Sequence, residues 1–129
     1  TALTLAARTG SEDCVRLLLT NHANVDLPGM GGWTALMLAI AEGHTRCVRL
    51  LLDEGASPSP AKADGKTALM VALHYCHEAD CVRLLLDKAA DVHVAETNGM
   101  TALMSASENG RTECVRILLD KHADVYRTG

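Results

Sequence analysis

The sequence predicts an all-α solenoid of stacked helix–turn–helix units joined by short hairpin-like loops. Three observations lead there. The triplet Thr-Ala-Leu starts at Thr1, Thr34, Thr67 and Thr101, at spacings of 33, 33 and 34 residues. A second triplet, Cys-Val-Arg, follows each copy at Cys14, Cys47, Cys81 and Cys114. Apolar residues make up 48% of the chain, yet Phe is absent and aromatics are only 2%. Leu, Ala, Val and Met must therefore fill the interior, which suits thin helices packed closely. A period of this length marks units that hide their apolar side only by covering one another. The 129 residues amount to about one domain, with repeats of roughly 1–28, 29–61, 62–95 and 96–129.

The second repeat shows the unit most plainly. Gly32 and Gly65 mark turns on either side of it. Thr34 suits an N-cap, and Ala35 to Ile40 supply a short first helix. Gly43 interrupts the pattern, and Thr45-Arg46 opens a second helix with Cys47, Val48, Leu50, Leu51 and Leu52 as its apolar positions. Gly55 suits the left-handed cap that ends it. A polar, Pro-containing stretch from Ser57 to Lys66 leads to the next Thr. Small residues recur at Ala6, Ala39, Ala72 and Ala106, and again at Ala23, Ala56, Ala90 and Ala123. An Ala-lined face lets the next helix approach closely, with Leu and Val filling the remaining space. Isolated helices under about 12–15 residues are marginal, so stability must come from the neighbours. Arg49, Arg83 and Arg116 stand four residues before Asp53, Asp87 and Asp120, a spacing expected to give solvated ion pairs.

Composition and spacing exclude several classes. Twelve basic and sixteen acidic residues give a net charge of -4, so neither a nucleic-acid surface nor a basic membrane patch is expected. No apolar run is long enough for a membrane span, and neither a span nor a charged-then-apolar leader is expected. The first residue falls inside a repeat, so a piece of a longer protein is expected. Four of the five cysteines share one repeat position. Packed helices lie about 10 Å apart, whereas disulfide Cα atoms must come within about 7 Å. Separate free thiols are expected, and with them a reducing compartment, cytoplasm or nucleus. The same geometry rules out one zinc ion held by all four sulfurs, each of which would need to lie about 2.3 Å from it.

Repeat three carries one extra residue and lacks the inter-helix Gly found at Gly10, Gly43 and Gly110. Its segment His74-Tyr75-Cys76-His77-Glu78-Ala79-Asp80 is expected to be an enlarged turn, with a partner contact as the second reading. His74, Cys76, His77 and Asp80 do not have a standard ligand spacing, and no metal is expected there. Leu27 to Gly32 is glycine-rich, but no Lys-Ser/Thr follows, so tight turns rather than a phosphate loop are expected. Ser11, Ser57, Ser59, Ser105 and Ser107 lack a nucleophile context, and the histidines are scattered among repeats and turns. No enzyme activity and no cofactor are expected, because acid–base chemistry needs groups within about 3 Å of the reacting proton.

Taken residue by residue, the chain resembles the ankyrin-repeat family. The family pattern Gly-x-Thr-Pro-Leu-His-x-Ala-Ala-x-x-Gly is matched by Gly32 to Gly43, followed by Val48, Leu51-Leu52 and Gly55-Ala56. The departures are systematic. Ala replaces Pro at residues 2, 35, 68 and 102, and the His position holds Thr4, Met37, Met70 and Met104. The family's His hydrogen bond to the Thr hydroxyl is therefore expected to be missing, with Met filling the volume. The glycine cap is kept only at Gly55; His22, Ala89 and His122 stand in its place elsewhere. A left-handed non-Gly residue costs about 1 kcal/mol or more.

The resemblance implies a protein or peptide partner on the concave surface, made of hairpin tips and the outward side of each first helix. Carried onto this sequence, that stripe holds Met30, Trp33, Lys66 and Met100 at the tips, and Arg8, Glu42, His74, Tyr75, Glu108 and Asn109 on the helices. Trp33 and Tyr75 are the expected anchors, ringed by Met30, Lys66, His74 and Met100, since exposed aromatics and Met in one band suit an interface core. The alternative places the Trp33 ring back over its own hairpin. Two other roles compete with recognition: a structural spacer inside a longer array, and an engineered binder, against which five cysteines and uneven repeats count. The terminal repeats lack polar caps, with Leu3, Leu5 and Val15 at one end and Ile117, Leu118 and Val125 at the other. Self-association through these ends is expected.

Overall fold

The computed structural model describes residues 1–58, 60, 62–75, 79–88, 101–108 and 110–120. Among them are eight helices: α1 (Ala2–Thr9), α2 (Glu12–Thr20), α3 (Ala35–Ala41), α4 (Thr45–Asp53), α5 (Ala68–Tyr75), α6 (Asp80–Asp87), α7 (Ala102–Glu108) and α8 (Thr112–Asp120). Each odd-numbered helix packs on the even-numbered one that follows it. The odd helices also pack on one another in order, as do the even ones, giving two parallel rows. The expected all-α stack of helix pairs is therefore present.

The repeated Thr starts the helix as expected. Thr34 is buried, and its hydroxyl accepts from the Met37 backbone N–H at 3.2 Å. Thr101 does the same for Met104 at 3.3 Å. The bond to the Thr hydroxyl, expected to be missing, is present in the first repeat, where the Thr1 hydroxyl donates to Thr4 Oγ1 at 3.1 Å. In the fourth, the Met104 sulfur accepts from the Thr101 N–H at 3.5 Å. A thioether is a weak acceptor, but an unbranched side chain reaches back to where the imidazole would sit. Met37 and Met70 are buried and fill the core.

The interior is one continuous cluster running from Leu3 through Leu36, Leu51, Leu69 and Leu85 to Leu118. Ala39, Ala72 and Ala106 are completely buried where neighbouring first helices meet, and Ala6 nearly so. Left-handed backbone closes α2 and α4 alike: His22 has φ 67 and Gly55 has φ 89. The next residue bonds back in both, Ala23 N–H to the Leu18 carbonyl and Ala56 N–H to the Leu51 carbonyl. Ala89 and His122 lie outside the described residues. So do His77, Met100, Asn109 and Val125.

The i,i+4 ion pairs expected on the second helices are corrected. Arg83 turns back to Asp80 at 3.3 Å and crosses to Glu113 at 2.8 Å, and Arg116 turns back to Glu113 at 3.0 Å. Asp53 faces Lys88 of the next repeat. The reason is orientation: an acid toward the helix N-terminus with the base after it agrees with the helix dipole, and the sequence offers the reverse order for the expected pairs.

Candidate recognition groove

Between the first three helix pairs the chain forms two narrow fingers. In the first, the Gly29 N–H donates to the Trp33 carbonyl at 2.8 Å around a 3-10 turn at Met30–Gly32. The second repeats this bond one period later, from the Lys62 N–H to the Lys66 carbonyl at 2.8 Å. The fingers are tied to each other as well. The Ala63 N–H donates to the Gly31 carbonyl at 3.1 Å, and the Ser57 N–H donates to Asp26 Oδ1 at 2.8 Å. This close approach requires Gly32: a Cβ there would sit 3.1 Å from the Lys62 Cα, with φ at +81°. The glycine-rich run is thus turn geometry.

Trp33 sits where finger and helix row meet. Its indole lies over Gly31, whose added Cβ would be 3.5 Å from the ring, and it packs against the core. The Lys62 ammonium stands 4.0 Å from the ring centroid and 3.3 Å from Asp64 Oδ2. The Tyr75 ring lies 6.3 Å away at a 59° tilt, and His74 meets Tyr75 edge-on at 4.9 Å. Trp33 is therefore half-buried against its own finger while one side borders a groove.

That groove has a volume of about 580 Å³ and runs across α1, α3 and the end of α5 beneath the first finger. Its lining includes Leu5, Leu38 and Ala41 with Arg8, Met30, Trp33, Glu42 and Tyr75. Met30 is 90% exposed, Leu5 59% and Tyr75 43%. Five of the ten residues expected at the interface are brought together here. His74 adjoins through Tyr75, and Lys66 belongs to the second finger, where its N–H donates to Asp64 Oδ1. Glu108 is exposed at the end of α7, away from the groove lining.

Sequence reasoning missed Leu5, Leu38 and Lys62. The two leucines stand one helical turn before Arg8 and Glu42, so the i, i+3/i+4 rule could have placed them on the same face. Lys62 carries no such signal, because it reaches Trp33 across a repeat boundary. Lys66, with the Lys62 ammonium beside it, holds the Asp64 carboxyl below the usual carboxylate range; the Lys66 backbone N–H is the largest cause.

The first repeat also leaves an apolar patch at the end of the stack, lined by Ala2, Leu5, Ala6, Cys14, Leu17 and Leu18. Cys14 is exposed, whereas its counterparts Cys47, Cys81 and Cys114 are buried. Of the apolar residues named for the two ends, Leu3, Val15, Ile117 and Leu118 turn out to be buried. Leu5 alone of the described ones is exposed, together with Leu17 and Leu119, which sequence reasoning did not name.

Among the described residues no cluster of His, Cys, Asp and Glu has metal-site geometry, and no helix is long and apolar enough to cross a membrane. A search of curated proteins returns no match. The family model for ankyrin repeats (three copies) matches residues 1–62 and 58–128. With the two-row stack and its linked fingers, that match shows that the chain belongs to the ankyrin-repeat family.

Proposed function

We propose that this domain is a recognition module that holds a protein or peptide partner in the groove under its first finger. Ankyrin repeats are protein–protein interaction modules and a non-catalytic fold. The observation that carries the finer reading is the contiguous apolar band of Leu5, Met30, Trp33 and Tyr75, left in reach of solvent along one groove. Monomers rarely leave such a band open without use, and aromatic and Met side chains dominate interface cores. None of the four repeat-position cysteines is in a disulfide, which supports a reducing compartment, cytoplasm or nucleus.

The test is a Trp33→Ala/Tyr75→Ala double variant. Partners captured on the wild-type domain are purified and titrated against both proteins. Anchoring by this pair costs the variant about thirtyfold in affinity, the hot-spot scale, measured well below the melting temperature of both proteins because Trp33 also packs on its own finger. Lower stability with unchanged affinity would overturn it.

A second reading is a spacer whose stack continues through its ends, or copies that associate end to end. The open patch around Cys14 and Leu17 favours it, because the equivalent face of each later repeat is covered by the repeat before. Sedimentation at several concentrations tests the association, and a strict monomer throughout would count against it.

A further inference from the structure

Arg8 and Glu42 line the same groove and are both exposed. Among the described residues neither side chain has a hydrogen bond or ion pair. Of the arginines on the second helices, Arg16, Arg83 and Arg116 each hold an acidic side chain of this chain, whereas Arg46 and Arg49 of α4 hold none among the described residues and lie outside the groove lining. Among the described residues the groove thus presents Arg8 as a free cation and Glu42 as a free anion beside an apolar floor of Leu5, Leu38, Trp33 and Tyr75. The order is fixed by the stack. Arg8 belongs to α1 and Glu42 to the end of α3, and Tyr75 stands one repeat beyond Glu42 in the same helix position.

Opposite fixed charges beside an apolar floor select by sign and by order. A ligand acid gains a charge-assisted contact at Arg8. A ligand base gains one at Glu42, with the Tyr75 ring beside it for cation–π contact. Reversing the ligand places like charges together, which suppresses the wrong register. Neighbouring helices lie about 10 Å apart, which is about three residues of extended chain. A groove of about 580 Å³ is large enough to take several side chains of such a segment.

We propose that the groove recognises an extended protein segment in which an acidic and a basic residue lie about three positions apart around large apolar side chains, the acid at Arg8 and the base at Glu42. This rests on the groove being the partner site.

The experiment pans short random peptides displayed on phage against the wild-type domain and against an Arg8→Glu/Glu42→Arg charge-swapped variant. Both positions are exposed, and circular dichroism confirms that the variant keeps its fold. Leading clones are synthesised and titrated by fluorescence anisotropy, with Leu5→Asp as a control that spoils the apolar floor. The wild type should enrich the acid–apolar–base order and the swapped variant the opposite polarity. The leading wild-type peptide should lose about tenfold in affinity for each reversed charge, about 1.4 kcal/mol. Apolar peptides that are lost with Leu5→Asp but show no charge order would overturn this inference and leave the groove as the partner site. No enrichment of any peptide sensitive to Leu5→Asp would overturn both.

Discussion

The imidazole of His44 rests against Gly10 and bonds the Arg8 carbonyl through Nε2 at 3.1 Å. It ties the entry of α4 to the exit of α1. Arg111 makes the corresponding bond to the His74 carbonyl at 3.3 Å, two repeats later. An added Cβ at Gly10 would lie 2.5 Å from His44 Nδ1, and φ there is +77°. Gly10→Ala should therefore destabilise the domain by about 2 kcal/mol or more, combining left-handed strain with displacement of the ring. In a His44→Ala background the same substitution should cost only about 1 kcal/mol, the strain alone. Urea midpoints of the two singles and the double close that cycle.

His22 occupies the left-handed cap that Gly55 fills in the next repeat. It is exposed, and among the described residues its side chain has no hydrogen bond or ion pair to lose. His22→Gly should stabilise the domain by about 0.5–1 kcal/mol, the left-handed strain less the added backbone freedom of glycine. A lowered thermal midpoint would contradict this.

Asp64 has a lowered folded-state pKa, so its contribution to the second finger is complete above the ordinary carboxylate value and is lost as pH falls through the lowered one. Protonation releases Lys62, which lies over the only tryptophan. Tryptophan emission of the wild type should therefore titrate below about pH 4. Asp64→Asn should flatten that change, and an identical acid titration in the variant would show that Asp64 does not set the Lys62 position.

The repeat-position cysteines should differ sharply in reactivity. Cys14 is exposed, whereas Cys47, Cys81 and Cys114 are buried. Burial, with the Glu12 carboxylate adding to it, pushes the Cys47 thiol up. Since the thiolate is the reactive form, iodoacetamide should label Cys14 first and the other three only on unfolding. Peptide mapping by mass spectrometry assigns the order.

The period, the Thr caps and the Ala columns were legible in the sequence because they depend on positions within one repeat. Thr34 and Ala39 needed no knowledge of what lies across the seam. Lys62 over Trp33, His44 on Arg8 and Asp26 on Ser57 were not legible, because each joins residues about one repeat apart whose types do not recur. Half of the expected interface residues share the groove for the same reason. Helix position could be counted along the chain, but the tilt of a finger over the row beneath it could not.

The backbone bond from Ala63 to Gly31 has a further consequence. Two fingertips fastened main chain to main chain move as one plate, whatever side chains they display. Exchanging residues on that plate would retune what the domain holds while leaving its outline fixed. Loosening the fastening would instead blur every contact made there at once.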